Sequence, residues 1–208
     1  MELARRHQVA AGAHPSYPDR AGFGRTLLPM PLRELQDSIA EQINALLAIA
    51  TRMQIPLVHV KPHGALYHSC NRDPEIAVSF ARAVLSIDGR LILLGQAGSP
   101  CLNIYREMGL RTAAEGFADR AYESDGNLRN RTLPGALLDS PDRAAAQAVA
   151  IATLGSVTAT SGSELSISAD TLCIHSDTPD SALIARAVKE QLRRAGVIIR
   201  AIGDYALQ

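Results

Sequence analysis

The chain has no tryptophan, and only 4% of its residues are aromatic, so the stacking platforms used by single-strand nucleic-acid binders are missing. It also lacks net charge. Its 21 acidic and 21 basic residues cancel, and they form no long block of one sign. Neither a nucleic acid nor a membrane surface is therefore indicated as a partner. No apolar run approaches the roughly 20 residues needed to span a bilayer. Glu2, Arg5 and Arg6 interrupt the stretch where a signal peptide would carry its apolar core. A cytoplasmic location is the expectation. Cysteine is scarce: Cys70, Cys101 and Cys173 are far apart and odd in number, which fits neither a disulfide framework nor a zinc knuckle. Three catalytic signatures are missing as well. There is no Gly-rich Lys-Ser/Thr phosphate loop, no His-Glu-x-x-His helix and no Gly-x-Ser-x-Gly elbow.

What is present alternates between short apolar strands and amphipathic helices. Val9 to Ala13, Leu57 to Val60, Leu91 to Leu94, Arg111 to Phe117 and Thr171 to Ile174 read as strands, and Val197 to Ile202 as a final one. Between them, Pro31 to Arg52 carries Leu32, Leu35, Ile39, Ile43, Leu46, Leu47 and Ala50 at helical spacing. Asp73-Pro74 opens a further helix, Pro100 to Met108 a short one and Pro141 to Leu154 an alanine-rich one. Asp180 to Ala195 reads as the last helix, and Ser156 to Ser168 as a hairpin-like excursion around Gly162. This order predicts an α/β fold with parallel strands and right-handed crossovers, in a single domain covering residues 1–208. Met1 to Gln8 resembles the tail of a helix with no capping residue ahead of it.

In a parallel α/β fold the strands end on one side, and that side carries the site. The strand ends here are His14, Lys61 with His63, Gln96, Asp119 with Arg120, and His175 with Asp177. A single histidine at such a place is usually solvated or capped. Ionisable residues at most of these ends point instead to one functional rim. Tyr17 and Tyr122 have two readings, packing under loops or bonding a ligand. Arg20, Arg25 and Arg120 are either surface ion-pair partners or forks for a carboxylate. Asp177 is either a rim carboxylate or a cap for the last helix. His59 is expected in the interior and His68 at the surface. Gly95 to Ser99 is a weak candidate anion loop.

These residues fall in segments that resemble the LamB/YcsF family. The segments are Ala11-Gly12-Ala13-His14-Pro15-Ser16-Tyr17-Pro18-Asp19, Gly22-Phe23-Gly24-Arg25 and His59-Val60-Lys61-Pro62-His63-Gly64-Ala65-Leu66-Tyr67. Further on come Glu115-Gly116-Phe117-Ala118-Asp119-Arg120-Ala121-Tyr122, Pro134-Gly135-Ala136-Leu137 and Cys173-Ile174-His175-Ser176-Asp177-Thr178-Pro179. The resemblance implies an irregular β/α barrel of the glycoside hydrolase/deacetylase type. It also implies a 5-oxoprolinase activity, the ATP-coupled hydrolysis of the lactam of 5-oxo-L-proline to L-glutamate, shared with subunits B and C. Two features depart from the family. Its Asp-rich first strand and its Gly-Phe-His-Ala-Gly-Asp segment have no counterpart here, so a barrel short of about two strands at the N-terminus is expected. Ser176 also stands where the family usually has glycine.

On this resemblance, ATP is handled by or with the partner subunits, where activating the lactam oxygen would make ring opening feasible. The chain itself directs water to the carbonyl carbon. The expected catalytic set is Lys61, His63, Asp119, Arg120, His175 and Asp177, with His63 or Asp119 as general base and Lys61 and Arg120 stabilising negative charge. His14, Asp19, Arg20, Arg25 and Tyr122 are expected to bind substrate. Two alternatives stay open. One is a metal-dependent amide or N-acetyl hydrolase with His14, His63 and His175 on a cation. The other is a non-catalytic binding subunit, with exposed strand edges favouring a homo-oligomer.

Overall fold

The computed structural model describes residues 1–203, and its strand–helix alternation is that of an α/β fold. The chain falls into two compact units, residues 1–113 with 201–203, and residues 114–200.

The first unit begins with α1 (Glu2–Arg6), whose N-cap makes no side-chain hydrogen bond, and continues into β1 (Ala11–Ala13). After the loop comes α2 (Leu32–Arg52), which buries Leu35, Ile39, Ile43 and Ala50, one stripe at helical spacing. β2 (Leu57–Val60) pairs parallel to β1. The chain then forms α3 (Ala65–Arg72) and α4 (Pro74–Leu85) in succession. Asp73 separates these helices: its carboxylate accepts the backbone N–H of Glu75 and Ile76, while Pro74 takes the first turn, where no N–H is needed. α2 packs on α4, which contributes Phe80, Ala81 and Val84, all fully buried. β3 (Ile92–Gln96) is buried along its whole length, the pattern of a strand inside a parallel sheet. α5 (Pro100–Glu107) follows it and ends near Gly109, which adopts a left-handed conformation.

β4 (Thr112–Phe117) begins in the first unit and continues into the second, where it pairs parallel with β7 (Thr171–Cys173). Between them lie α6 (Pro141–Leu154) and a hairpin of β5 (Ser156–Thr158) with β6 (Glu164–Ser166), one of the forms expected from the sequence around Gly162. α7 (Ser181–Arg194) packs on α6. Their shared core joins Ala144, Ala145 and Ala148 to Ile184, Val188 and Leu192. The alanines let the helix backbones approach closely, and each buried Ile or Leu contributes about 1.5–3 kcal/mol. No helix among the described residues is long and apolar enough to cross a membrane.

One sequence expectation fails. Val197 to Ile202 is not a strand. Gly196 is left-handed, and the Val197 N–H turns back to the Leu192 carbonyl (2.9 Å), closing the C-terminus of α7. The apolar run thus starts inside a helix cap, and Ile202 packs a side chain against Val58 and Ile92 without adding a ladder.

Gly64 is the tightest point of the first unit. It takes φ +57°, ψ −127° as the N-cap of α3, and a Cβ there would run into the Gly24 carbonyl oxygen, which accepts the Ala65 N–H (2.9 Å). Gly64→Ala is expected to cost about 2 kcal/mol or more, from backbone strain plus the collision. A urea midpoint unchanged from wild type would contradict this.

Candidate functional site

Each unit carries a cluster centred on histidine. In the first, β1 and β2 end beside one another, with Lys61 N–H donating to the Ala13 carbonyl (3.0 Å) and His63 N–H to the Pro15 carbonyl (2.8 Å). This ladder brings His14 Nε2 to 3.0 Å from His63 Nδ1. The outer nitrogens meet carbonyl oxygens: His14 Nδ1 meets that of Lys61 (2.8 Å) and His63 Nε2 that of Phe23 (2.8 Å). A carbonyl only accepts, so both outer nitrogens are N–H donors. Two neutral rings would then oppose lone pairs across the inner contact. A third proton shared between the rings would turn that contact into a hydrogen bond. All four ring nitrogens lie within hydrogen-bond distance of a partner.

The neighbours of the pair are placed by the loop after β1. Asp19 Oδ1 accepts the Gly22 N–H (2.8 Å), and its other oxygen is buried without a partner. Arg25 lies over the Phe23 ring at 5.3 Å, and Lys61 Nζ over the Tyr67 ring at 5.5 Å. Arg20 is exposed. Gln42 of α2 clamps the start of the loop, accepting the Ser16 N–H (3.0 Å) and donating to the Ser16 carbonyl (2.8 Å). His59 packs against Gly12, and burial lowers its pKa, reinforced by the charge of Lys61. His68 is exposed, as expected.

In the second unit the turn after β4 places Asp119 fully inside the protein. Its carboxylate accepts from the His175 backbone N–H (2.9 Å), from His175 Nδ1 (3.0 Å) and from the Thr178 hydroxyl (2.7 Å). Burial alone would raise its pKa. The His175 ring, the Thr178 hydroxyl and the backbone N–H together outweigh that and hold it below the ordinary carboxylate value. Asp119 thereby fixes the proton of His175 on Nδ1. The other nitrogen, Nε2, keeps its lone pair in the neutral ring, and the side chain is 24% exposed. Phe117 stacks on the ring at 5.7 Å between centroids.

Other expected site residues turn inward here. Arg120 is buried, with Nε donating to the Ala136 carbonyl (3.3 Å) and a terminal nitrogen to that of Arg129 (2.6 Å). Desolvation, helped by nearby Arg131, pushes its pKa down to about 10. The hydroxyl of Tyr122, also buried, accepts the Phe117 N–H (2.8 Å), and burial raises its pKa. Asp177 does not cap α7. It pairs with Arg131 at 2.9 Å, and Asp180 forms the N-cap.

Three contributors were not visible in the sequence. Thr178 bonds Asp119; the Phe23 carbonyl fixes His63; and Gln147, from α6, donates to the carbonyls of Phe117 (2.7 Å) and Arg120 (2.8 Å). Only Thr178 had a signal, a hydroxyl three residues after a strand-end histidine. Among the described residues no group of three or more His, Cys, Asp or Glu side chains is placed to hold a metal ion. The candidate anion loop after β3 runs from Ala97 to Ser99 into α5. Gly95, still in β3, packs closely on α5: a Cβ there would lie 2.8 Å from Cys101 Sγ.

The sequence model of the LamB/YcsF family matches residues 1–206. The chain belongs to the LamB/YcsF family. It is 47% identical over 192 residues to the 5-oxoprolinase A subunit of Chloroflexus aggregans, covering 92% of this chain and 76% of that protein. It is 45% identical over 207 residues to the A subunit of the Methylococcus capsulatus 5-oxoprolinase, covering 99% of this chain and 79% of that protein. A crystal structure of a lactam utilization protein from Thermus thermophilus matches with a TM-score of 0.90 and 42% identity, over 97% of this chain and 80% of that one. The chain thus shares the LamB/YcsF fold over nearly all its length.

Asp119 generates a pH-dependent stability. Its folded pKa lies below 3.8, so its contribution is complete above that value and is lost as pH falls through the folded pKa. Asp119→Asn, which sets an amide against the same donors, is expected to cost roughly 3 kcal/mol near neutral pH. The gap from wild type is expected to narrow as pH falls through the folded pKa. Denaturant titrations of both proteins at several pH values check this; a gap independent of pH would contradict it.

Proposed function

We propose that this chain is the A subunit of a 5-oxoprolinase, hydrolysing the lactam of 5-oxo-L-proline to L-glutamate together with ATP-using subunits B and C. Family membership and the name carried by relatives from several organisms support the substrate and the subunit role. The observation that carries the chemistry is the buried Asp119 carboxylate holding His175 Nδ1–H, with Nε2 left as a base. ATP is assigned to the partner subunits, because the residues here offer no P-loop.

Ring opening adds water across the C–N bond: oxygen to the carbonyl carbon, a proton to the ring nitrogen. His175 Nε2 takes the proton of the attacking water, and Asp119 stabilises the imidazolium that forms. Asp119 itself is a positioning residue on this reading, not the base, since its oxygens already accept bonds from the protein. Thr178 positions Asp119 in turn. In the first unit, the roles proposed from the family resemblance are proton exchange for His63 with His14 and contact with negative charge for Lys61 and Arg25. Asp19, Arg120, Tyr122 and Asp177 act by holding their loops, and Arg20 remains a candidate carboxylate contact.

The test is glutamate release from 5-oxo-L-proline by the chain with purified subunits B and C and ATP. Absence of release by wild type would overturn the reading. His175→Ala is expected to lower kcat by about 10²–10⁴-fold. Thr178→Val is expected to lower kcat by roughly tenfold with KM little changed, the mark of a group acting through the base. A further outcome concerns the first cluster: full ring-opening by His63→Ala would remove that pair from the mechanism.

A further inference from the structure

The second unit contains a groove of about 930 Å³ that the proposed chemistry does not use, since neither Asp119, His175 nor Thr178 lines it. One wall is the chain from Val157 to Ser161, at and after β5. The other is the face of α6 carrying Arg143, Ala146 and Ala150, and Leu138 contributes apolar surface between them.

The hydrogen bonds of the hairpin show what the β5 edge offers. Gly155 accepts the Ile167 N–H (2.7 Å), and Ala159 donates to the Ser163 carbonyl (2.8 Å), in a register that sets Val157 opposite Leu165. Antiparallel pairs alternate, so residues 155, 157 and 159 exchange bonds with β6. Ser156, Thr158 and Thr160 therefore turn their N–H and C=O groups to the outer edge. Thr160 N–H is taken by the Tyr122 carbonyl (2.8 Å). The N–H and C=O of Thr158 have no partner among the described residues, and Thr158 is exposed. Beside this edge stands Arg143, exposed in the first turn of α6, where the helix dipole disfavours a cation. Among the described residues no carboxylate pairs with it.

An edge open at Thr158, apolar surface at Leu138 and an unpaired cation on the far wall, with the carboxylate of Glu123 already paired to Arg129, together fit one kind of occupant. We propose that this groove docks an extended segment of a partner subunit, which adds as a strand beside Thr158, seats an apolar side chain near Leu138 and sets a carboxylate against Arg143. The partner's identity rests on the subunit reading above; the groove's chemistry does not.

The probes are purified subunits B and C, titrated calorimetrically against the full chain. Ala146→Arg fills the groove from an exposed helix position, Arg143→Glu reverses the charge, and Thr158→Pro removes the edge donor at a place where proline is tolerated. Each is expected to weaken association by about tenfold or more with an unchanged melting temperature, while Lys189→Glu on α7 leaves it as in wild type. If Thr158→Pro does not fold, the other two variants decide. Wild-type association that none of them weakens overturns the groove and leaves the subunit reading intact. No association by wild type overturns both. Wild type that self-associates, and Ala146→Arg that does not, makes a second copy the occupant and overturns the partner.

Discussion

A carboxylate removed from water must be either neutralised or given hydrogen-bond donors, and the second unit is built around the latter solution for Asp119. Its donors come from one turn, at His175 and Thr178, 56 to 59 residues away in the chain. The bond therefore ties the end of β4 to the end of β7, where the parallel ladder of Gly116 with Leu172 and Phe117 with Cys173 stops. The surrounding backbone is satisfied from nearby side chains. Gln147 holds the carbonyls of Phe117 and Arg120, Tyr122 takes the Phe117 N–H, and Arg120 holds the loop carbonyls of Arg129 and Ala136. Without these partners the turn would bury polar groups at a cost of about 1–3 kcal/mol each. The position and tautomer of His175 follow from that economy.

The first unit solves a different problem with similar means. The loop from Ser16 to Arg25 has little regular structure, and it is fixed by groups reaching in from outside. Gln42 clamps Ser16, Asp19 closes a turn on Gly22, and the carbonyl of Phe23 takes the His63 N–H. Close approach of the Gly24 and Gly64 backbones lets the Ala65 N–H reach the Gly24 carbonyl. The imidazoles are held through their outer N–H groups, so the inner contact is left to share a proton.

The helices were legible because their apolar stripes have a period that no loop imitates. Leu35, Ile39, Ile43 and Ala50 read as one face in the sequence, and they bury as one face. The strand ends were legible through topology, which is why His14, Lys61, His63, Asp119 and His175 were singled out. What the sequence did not reveal is direction. Arg120 and Tyr122 read equally well as ligand contacts or as packing, and their surroundings turn both inward. Asp177 read as either a rim carboxylate or a helix cap, and its side chain pairs with Arg131, 46 residues away. Gln147 lies on a helix with no mark separating it from any other surface glutamine. Side chains at turns follow backbone angles and distant partners, and neither has a period to read. The run from Val197 misled for the reverse reason: its β-branched residues match a strand, but Gly196 had already committed its first N–H to the helix.

The two histidine clusters differ in the sign of what holds them, and this gives them different chemistry. His175 is oriented by an anion, so its Nδ1 proton is fixed and Nε2 remains a site that gains a proton with the support of a negative charge. His14 and His63 are oriented by neutral carbonyls and can bond one another only by holding an extra proton. The first arrangement stabilises a base as it becomes charged. The second gains a hydrogen bond between its rings only when a further proton is added. Each arrangement is set by which atoms surround the ring.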